Sequence, residues 1–259
     1  LIGFSTKAEG HRNFQGIQAS TGEALPQVYT EATADEADEA LSKASAAFKI
    51  YRKSTDAQRA AFLNAIADEI LAIGDKLIQT ACAESGLPEA RITGERGRTI
   101  GQIQAFANFI LNPNWKREIV DEAMPERQPL PKPRLVQKQI PLGPTVVFGA
   151  SNFPLAFSVA GGDTMSALAA GCPVVFKAHP AHPNTSDLVG QAIQKAAEKT
   201  KMPDGTFSLL HAHGHEIGGY LVSHSITKAV AFTGSYRGGK ALFDLAVRRA
   251  NPIPVYAEM

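Results

Sequence analysis

Four stretches of this 259-residue chain place reactive or ligand-holding side chains directly after short apolar runs. Asn152 follows Thr145-Val146-Val147-Phe148. Its amide can donate a hydrogen bond to a carbonyl oxygen that gathers negative charge during a reaction, or it can cap the next helix. Lys177 closes Pro173-Val174-Val175-Phe176, where it can hold a ribose hydroxyl or phosphate, or stand in solvent. Thr233-Gly234-Ser235-Tyr236-Arg237-Gly238-Gly239 opens a helix. Glycines such as Gly234 and Gly239 let the backbone approach a pyrophosphate, and a helix start such as Ser235 offers N–H donors to it. The spacing is not G-x-G-x-x-G, so alone it is a weak dinucleotide signal. Glu258 follows the last apolar run and can act as a general base or remain a solvated carboxylate.

Other reactive residue types fit bland roles. Cys172 sits between Gly171 and Pro173 at the entry to an apolar run, and Cys82 lies within a helical stretch, so both read as packed thiols. His211-x-His213-x-His215 would put three imidazoles on one strand face, but it lies at a strand end with no Cys or carboxylate partner inside it. No metal site is expected there. His215, beside the next helix start, is the phosphate contact among the three, and it pairs best when protonated, so affinity for a phosphate should weaken as pH rises past about 7.

The elements that must position these residues divide the chain in two. Thr33 and Glu36 form a capping box ahead of Ala37–Phe48. Ser54 or Thr55 caps a second helix carrying Phe62, Ile66, Ile70 and Ile73 and stopping at Gly74. Asp75–Glu84 gives a third helix ending at Gly86, and Pro88 opens a fourth with Ile92, Ile100, Ile103, Phe106 and Ile110 at helical spacing. Asn112–Arg134 carries Pro113, Pro125, Pro129, Pro131 and Pro133, too many for a regular element. It reads as an extended surface connection leading to a strand at Leu135–Ile140. Beyond Pro144, Thr145–Phe148, Pro173–Phe176, Thr206–Leu210, Lys228–Phe232 and Ile253–Tyr256 are apolar without alternation, as strands covered on both faces are. Helical stretches Leu155–Ala170, Asp187–Lys199, Glu216–Ser223 and Gly239–Arg249 separate them. This is an α/β pattern, a parallel Rossmann-like sheet with helices on both faces, and ligands of such sheets bind at the carboxyl ends of the strands. The expected parts are 1–125, a helical segment of a cofactor-binding domain; 126–141, the connection and strand; and 142–259, the Rossmann-like part.

Composition narrows the function. A net charge of +1 from 26 basic and 25 acidic residues leaves no dominant attraction to nucleic acid or an acidic membrane. No uncharged apolar run approaches the ~18–20 residues of a membrane span, and Leu1 to Phe14 lacks the basic start and apolar stretch of a signal peptide. Two isolated cysteines suit a reducing, cytoplasmic compartment. With no initiator Met and an apolar end at Val255–Met259, the chain reads as a fragment.

The order of the strand-end residues resembles the first half of an aldehyde dehydrogenase of the NAD(P)-dependent superfamily. Asn152-Phe153-Pro154-Leu155, Lys177, Phe232-Thr233-Gly234-Ser235 with Gly239, and Glu258 at the start of the family's E-L-G-G segment carry the likeness, and Ala34–Leu111 fits the family's N-terminal region. Among subfamilies the chain most resembles the 2-oxoglutarate semialdehyde (2,5-dioxovalerate) dehydrogenases, related to NADP-linked fatty aldehyde enzymes, through Glu95–Thr99, Gly149–Gly162, Lys177–Pro183 and Pro252–Met259. The resemblance implies oxidation of an aldehyde to an acid by a thiolate that lies roughly 35 residues beyond Glu258, in a catalytic domain absent from this chain. It implies Asn152 in the oxyanion site, Glu258 as base, Lys177 on the adenosine ribose, and Gly234 and Ser235 at the pyrophosphate. NAD-preferring relatives place a Glu three residues after the ribose lysine; here Pro180 stands there. The expectation is therefore NADP preferred and NAD possible, with Lys177 and His179 or His215 near a 2′-phosphate. Arg98, on the helix that borders the substrate entrance in the family, is placed to meet a substrate carboxylate, with Phe153 and Phe157 lining the tunnel. A long-chain aldehyde substrate and a non-catalytic nucleotide-binding module are the alternatives. Leu135–Ile140 matches the family's projecting oligomerisation strand, implying a homodimer or homotetramer of the full-length protein.

Overall fold

The computed structural model describes residues 1–259. The chain begins with an antiparallel hairpin, β1 (Asn13–Ile17) and β2 (Ala24–Thr30), bulged between Gln15 and Ile17. Four helices follow: α1 (Ala34–Tyr51), α2 (Asp56–Ala72), α3 (Asp75–Ser85) and α4 (Glu89–Ile110). Both expected N-termini are capping boxes. Glu36 N donates to Thr33 Oγ1 at 3.1 Å and Thr33 N to Glu36 Oε2 at 2.8 Å, and Thr55 and Gln58 repeat the exchange. α3 ends on Gly86, whose φ of 69° is the left-handed value a C-terminal glycine supplies.

A short ribbon, β3 (Ile119–Asp121) against β4 (Leu135–Gln137), then projects with every residue exposed. The Rossmann-like part runs β5 (Thr145–Phe148), α5 (Gly162–Ala169), β6 (Val174–Lys177), α6 (Pro183–Lys199), β7 (Phe207–Leu210), α7 (Glu216–Ser223), β8 (Ala229–Thr233), α8 (Tyr236–Val247) and β9 (Val255–Glu258). Its five strands are parallel in the order β7-β6-β5-β8-β9, so the chain reverses direction across the sheet between β5 and β8. Crevices at such reversals are where ligands of open α/β sheets sit. One core cluster packs Phe62, Ile66 and Ile103 of α2 and α4 against Val147, Phe176 and Leu209; a second packs Leu41 and Leu221 against Val146, Val175 and Val230. Alternate residues of each strand thus meet helices on opposite faces, which is why these runs are apolar throughout. No helix is long and apolar enough to cross a membrane.

Several sequence expectations need correction. Residues 13–30 form a hairpin where no strands were expected, and β3 lies inside the stretch read as irregular. The strand expected over 135–140 ends at Gln137. The helix expected from Leu155 begins only at Gly162, because the amides of Leu155 and Ala156 are taken by the carboxylate of Glu95. α6 begins earlier, with Pro183 in its first turn, where no N–H is needed. α8 also begins earlier, on its Ser235 cap. β9 is shifted toward the end of the chain, so Glu258 is the last residue of the strand and not a residue beyond it.

Candidate active site

The carboxyl ends of β6, β5, β8 and β9 lie side by side. Register pairs Phe148 with Lys177 on one flank and Phe232 on the other, and Thr233 with Glu258. Lys177 and Glu258 are three strand steps apart, about 14 Å at roughly 4.8 Å per step. The loop bearing Asn152 leaves the strand end between them. The structure therefore brings Asn152, Lys177, Gly234, Ser235 and Glu258 to one edge of one sheet, with Gly239 in the first turn of the helix that follows.

Asn152 is exposed in this loop and does not cap α5, whose N-cap is Gly161. The loop is pinned from below. Leu155 N and Ala156 N donate to Glu95 Oε1 at 2.8 and 3.0 Å, and Ala150 N donates to Phe157 O at 2.8 Å. The His182 ring, buried, bridges Ala150 O at 2.9 Å and Ser186 Oγ at 3.1 Å. A charged residue that satisfies two buried amides holds the backbone more firmly than a neutral one, since such bonds are roughly twice as strong. Phe153 and Phe157 meet edge to face at 5.1 Å. Arg98 lies over both rings, its guanidinium carbon 4.9 Å from the centre of Phe157 and 5.9 Å from that of Phe153, and Arg91 lies 4.5 Å from Phe153. Arg98 and Phe153 are thus neighbours, with a second cation beside them.

Lys177 is not a solvent-facing lysine. It is 9% exposed, and its ammonium donates to Ala212 O at 2.6 Å. Burial pulls its pKa down to about 8, with Glu31 opposing the shift. An ammonium has three donors, so two remain for ribose hydroxyls or a phosphate. Burial pushes His179 to about 4, helped by His182 and Lys177. Its Nδ1 accepts from Ala181 N at 3.1 Å, leaving the proton on Nε2. In the unliganded protein His179 is therefore neutral, and Nε2–H is the donor it can offer an anion.

The glycine turn after β8 has a packing reason of its own. A Cβ on Gly234 would lie 2.7 Å from Cζ of Phe232, one on Gly238 3.0 Å from the same atom, and one on Gly239 2.5 Å from Sδ of Met259. The turn is glycine-rich because it closes onto the Cζ end of Phe232 at Gly234 and Gly238 and onto Met259 at Gly239. Ser235 N-caps α8 by accepting from Gly238 N at 3.2 Å, which leaves earlier first-turn amides free for an anion. Gly234 N donates to Glu258 O at 3.0 Å, tying the turn to the end of β9.

The three spaced histidines part company. His211 stacks tilted on Tyr29 at 4.5 Å, His213 meets the edge of Phe14 at 6.1 Å, and His215 stands exposed at the N-cap of α7. Cys172 is buried, and Cys82 is half-buried. Sequence reasoning missed Glu95 and His182. Glu95 carried a usable signal, since it falls on the same helical stripe as Ile92, Thr99 and Ile103, where an unpaired carboxylate would be costly. His182 acts on Ala150, 32 positions away along the chain, and carried none.

The family model described as the aldehyde dehydrogenase family matches residues 5–259. Alpha-ketoglutaric semialdehyde dehydrogenase 2 of Azospirillum brasilense is 54% identical over 260 residues, covering 100% of this chain and 50% of its own length. Alpha-ketoglutaric semialdehyde dehydrogenase of Acinetobacter baylyi is 48% identical, covering 95% of this chain and 46% of its own. The chain spans about half the length of the curated relatives it matches. Among solved structures, an NAD-dependent benzaldehyde dehydrogenase from Corynebacterium glutamicum superposes with a TM-score of 0.83 over 98% of this chain and 52% of its own, at 22% identity. A 1-pyrroline-5-carboxylate dehydrogenase gives 0.85 over 100% and 48%, also at 22%. At that identity the likeness establishes the fold.

Proposed function

The chain belongs to the aldehyde dehydrogenase family, and we propose that the full-length protein oxidises 2-oxoglutarate semialdehyde to 2-oxoglutarate with a nicotinamide cofactor, NADP in preference to NAD. The observation that carries this reading is the shared strand edge, with Asn152 between Lys177 and Glu258 and two arginines over the neighbouring Phe153. The two relatives named for this semialdehyde support the substrate.

The attacking thiolate comes from the part of the protein outside this chain. Cys172 is buried at the entry to β6, and burial raises the Cys82 thiol above its ordinary range, the opposite of an activated nucleophile. Asn152 donates its amide to the oxyanion of the tetrahedral intermediate, a donor whose loss typically reduces kcat by about 10²–10³. Glu258 takes a proton from the thiol or from the water that releases the acid, a contribution on the order of 10²–10⁴. When bound, the nicotinamide supplies the hydride acceptor. Lys177 holds the adenosine ribose with its spare donors, the free amides of the Gly234–Gly239 turn receive the pyrophosphate, and His215 stands ready for a phosphate. With Pro180 at the position three residues after Lys177, no carboxylate at that position repels a 2′-phosphate. Arg98, assisted by Arg91, pairs with the substrate's far carboxylate.

In the same reading, residues 1–125 and 142–259 build the cofactor-binding domain. Segment 126–141 supplies the ribbon through which the cytoplasmic full-length protein forms a homodimer or homotetramer. The test is Arg98→Ala in the full-length protein. We expect kcat/KM for acidic semialdehydes to fall roughly ten- to a hundredfold relative to neutral aldehydes, the ~1.5–3 kcal/mol of a charge-assisted hydrogen bond. An unchanged ratio removes Arg98 from substrate recognition, and at least tenfold tighter binding of NAD than NADP removes the cofactor preference.

A further inference from the structure

One peptide unit beside Lys177 is gripped from both sides. Lys177 Nζ donates to Ala212 O at 2.6 Å, and His213 N donates to Glu31 Oε1 at 3.0 Å. Ala212 O and His213 N belong to the same trans peptide group, so they point in opposite directions in one plane. An ammonium and a carboxylate therefore sit at the two ends of one amide dipole. Gly214 N adds a second donor to Glu31 Oε1 at 3.3 Å. Glu31 lies 182 positions before His213 and follows β2 directly. Its place is fixed independently: its own N–H donates to Arg12 O at 2.8 Å, and Ala32 N donates to His211 O at 2.8 Å. Phe14 and Tyr29 of the hairpin meet His213 and His211 of the same loop. We propose that Glu31 is the positioning residue behind Lys177, holding through the Ala212–His213 peptide the ammonium that meets the adenosine ribose. This rests on the reading of Lys177 as the ribose group.

The arrangement acts on Lys177 in two ways. A carboxylate that accepts from the N–H of a peptide polarises it, so the carbonyl oxygen at the other end becomes a better acceptor for the ammonium. One ammonium proton is thereby committed to Ala212, and the other two keep a fixed direction. Glu31 also keeps the group charged. Burial lowers the Lys177 pKa to about 8, and Glu31 works against that loss. A neutral residue at position 31 would leave the ammonium with the burial penalty alone.

Of the charges around this lysine, Glu31 is the one that bears on it. Burial disfavours the charged forms of His179, His182 and His211. His213 is turned to Phe14, and His215 is exposed at the N-cap of α7. Asp187 of α6 lies 3.9 Å from His211, and Glu36 of α1 accepts from Thr33 N and Glu9 N. Glu216 of α7 lies against Gly214, and Arg12 stands 4.0 Å from Glu31 Oε2. The loop after β5 carries no ionisable side chain through Ser158, and Glu95 beneath it is taken by Leu155 and Ala156.

The experiment follows NADP affinity against pH by calorimetry on the full-length protein. Glu31→Gln keeps an oxygen for both amides and removes the charge. Lys177 loses its proton near pH 8 before the cofactor binds, and without Glu31 that point moves down. The fall in NADP affinity should therefore begin about half a pH unit lower, so that the loss between pH 6 and pH 9 grows about threefold over wild type. Glu31→Asp, which keeps the charge, should stay closer to wild type. Adding Glu31→Gln to Lys177→Met should leave the profile of Lys177→Met unchanged. A wild-type profile in Glu31→Gln, an equal shift in Glu31→Asp, or a shift that persists without Lys177 overturns the proposal and leaves the cofactor reading intact. A wild-type protein that binds neither NADP nor NAD instead removes that reading. The ammonium is then titrated directly, by NMR of full-length protein labelled with ¹⁵N-lysine and assigned through Lys177→Met. Its midpoint should move down in Glu31→Gln, and identical midpoints overturn the pairing.

Discussion

The two edges of the parallel sheet are built differently. At β7 every residue is buried, and the edge itself is closed by the first residues of the chain: Leu209 N donates to Leu1 O at 2.9 Å, and Gly3 N to Ser208 Oγ at 2.9 Å. At β9, Val255 is half-buried and Tyr256, Ala257 and Glu258 are exposed. The helix beside it, α8, buries only Gly239 and Ala246, whereas α6 at the other edge buries nine residues. Lys177 is thus set in buried structure and Glu258 on an exposed strand. Under the proposed function, a lysine that holds a ribose is served by burial in fixed structure, and a base is served by an accessible face. An unpaired strand edge is also a template for association, and the exposed β3–β4 ribbon shares that property.

The sharpest way to break this contrast is to truncate one aromatic on each side. In this chain Phe176→Ala on β6 should lower stability by about 3–5 kcal/mol, the range for a buried Phe. Tyr256→Ala on β9 should stay within about 0.5 kcal/mol, as surface changes do. Urea unfolding measures both, and equal losses would mean that β9 is as firmly packed as β6. A second variant asks to which side the Asn152 loop belongs. Glu95→Ala leaves two buried amides without an acceptor and should cost about 1–3 kcal/mol by the same measurement; no loss would place the loop with the open edge. The smallest effect concerns pH. Lys177 in the free protein loses its proton near pH 8, whereas a bound phosphate raises its pKa by favouring the charged form. NADP affinity should therefore hold below pH 8 and fall above it by up to about tenfold per pH unit, or ~1.4 kcal/mol. Calorimetric titration of the full-length protein tests this, and Lys177→Met should flatten the decline.

What the sequence made legible follows the same divide. β5 and α7 have the expected limits, and the boxes at Thr33 and Thr55 start their helices as expected, because caps and doubly buried strands are local patterns. The hairpin at 13–30 escaped notice because the bulge between Gln15 and Ile17 breaks the two-residue alternation that marks a strand. The helix expected from Leu155 failed for a reason 60 positions away, at Glu95. The residues of the site were legible as types in order along the chain. The groups that hold the Asn152 loop, Glu95 and His182, act across 32 to 61 positions, and no short window of sequence contains both partners.

The ring of Phe232 has one more consequence. Because Gly234 and Gly238 close onto the Cζ end of that ring, the reach of the side chain at position 232 sets how high the mouth of α8 rides above the sheet. A leucine in its place would let that mouth sink and tilt, and anything larger than hydrogen on the three glycines would lift it. Mutational tolerance at these four positions should therefore be shared: a change at one becomes acceptable only when another compensates for the height.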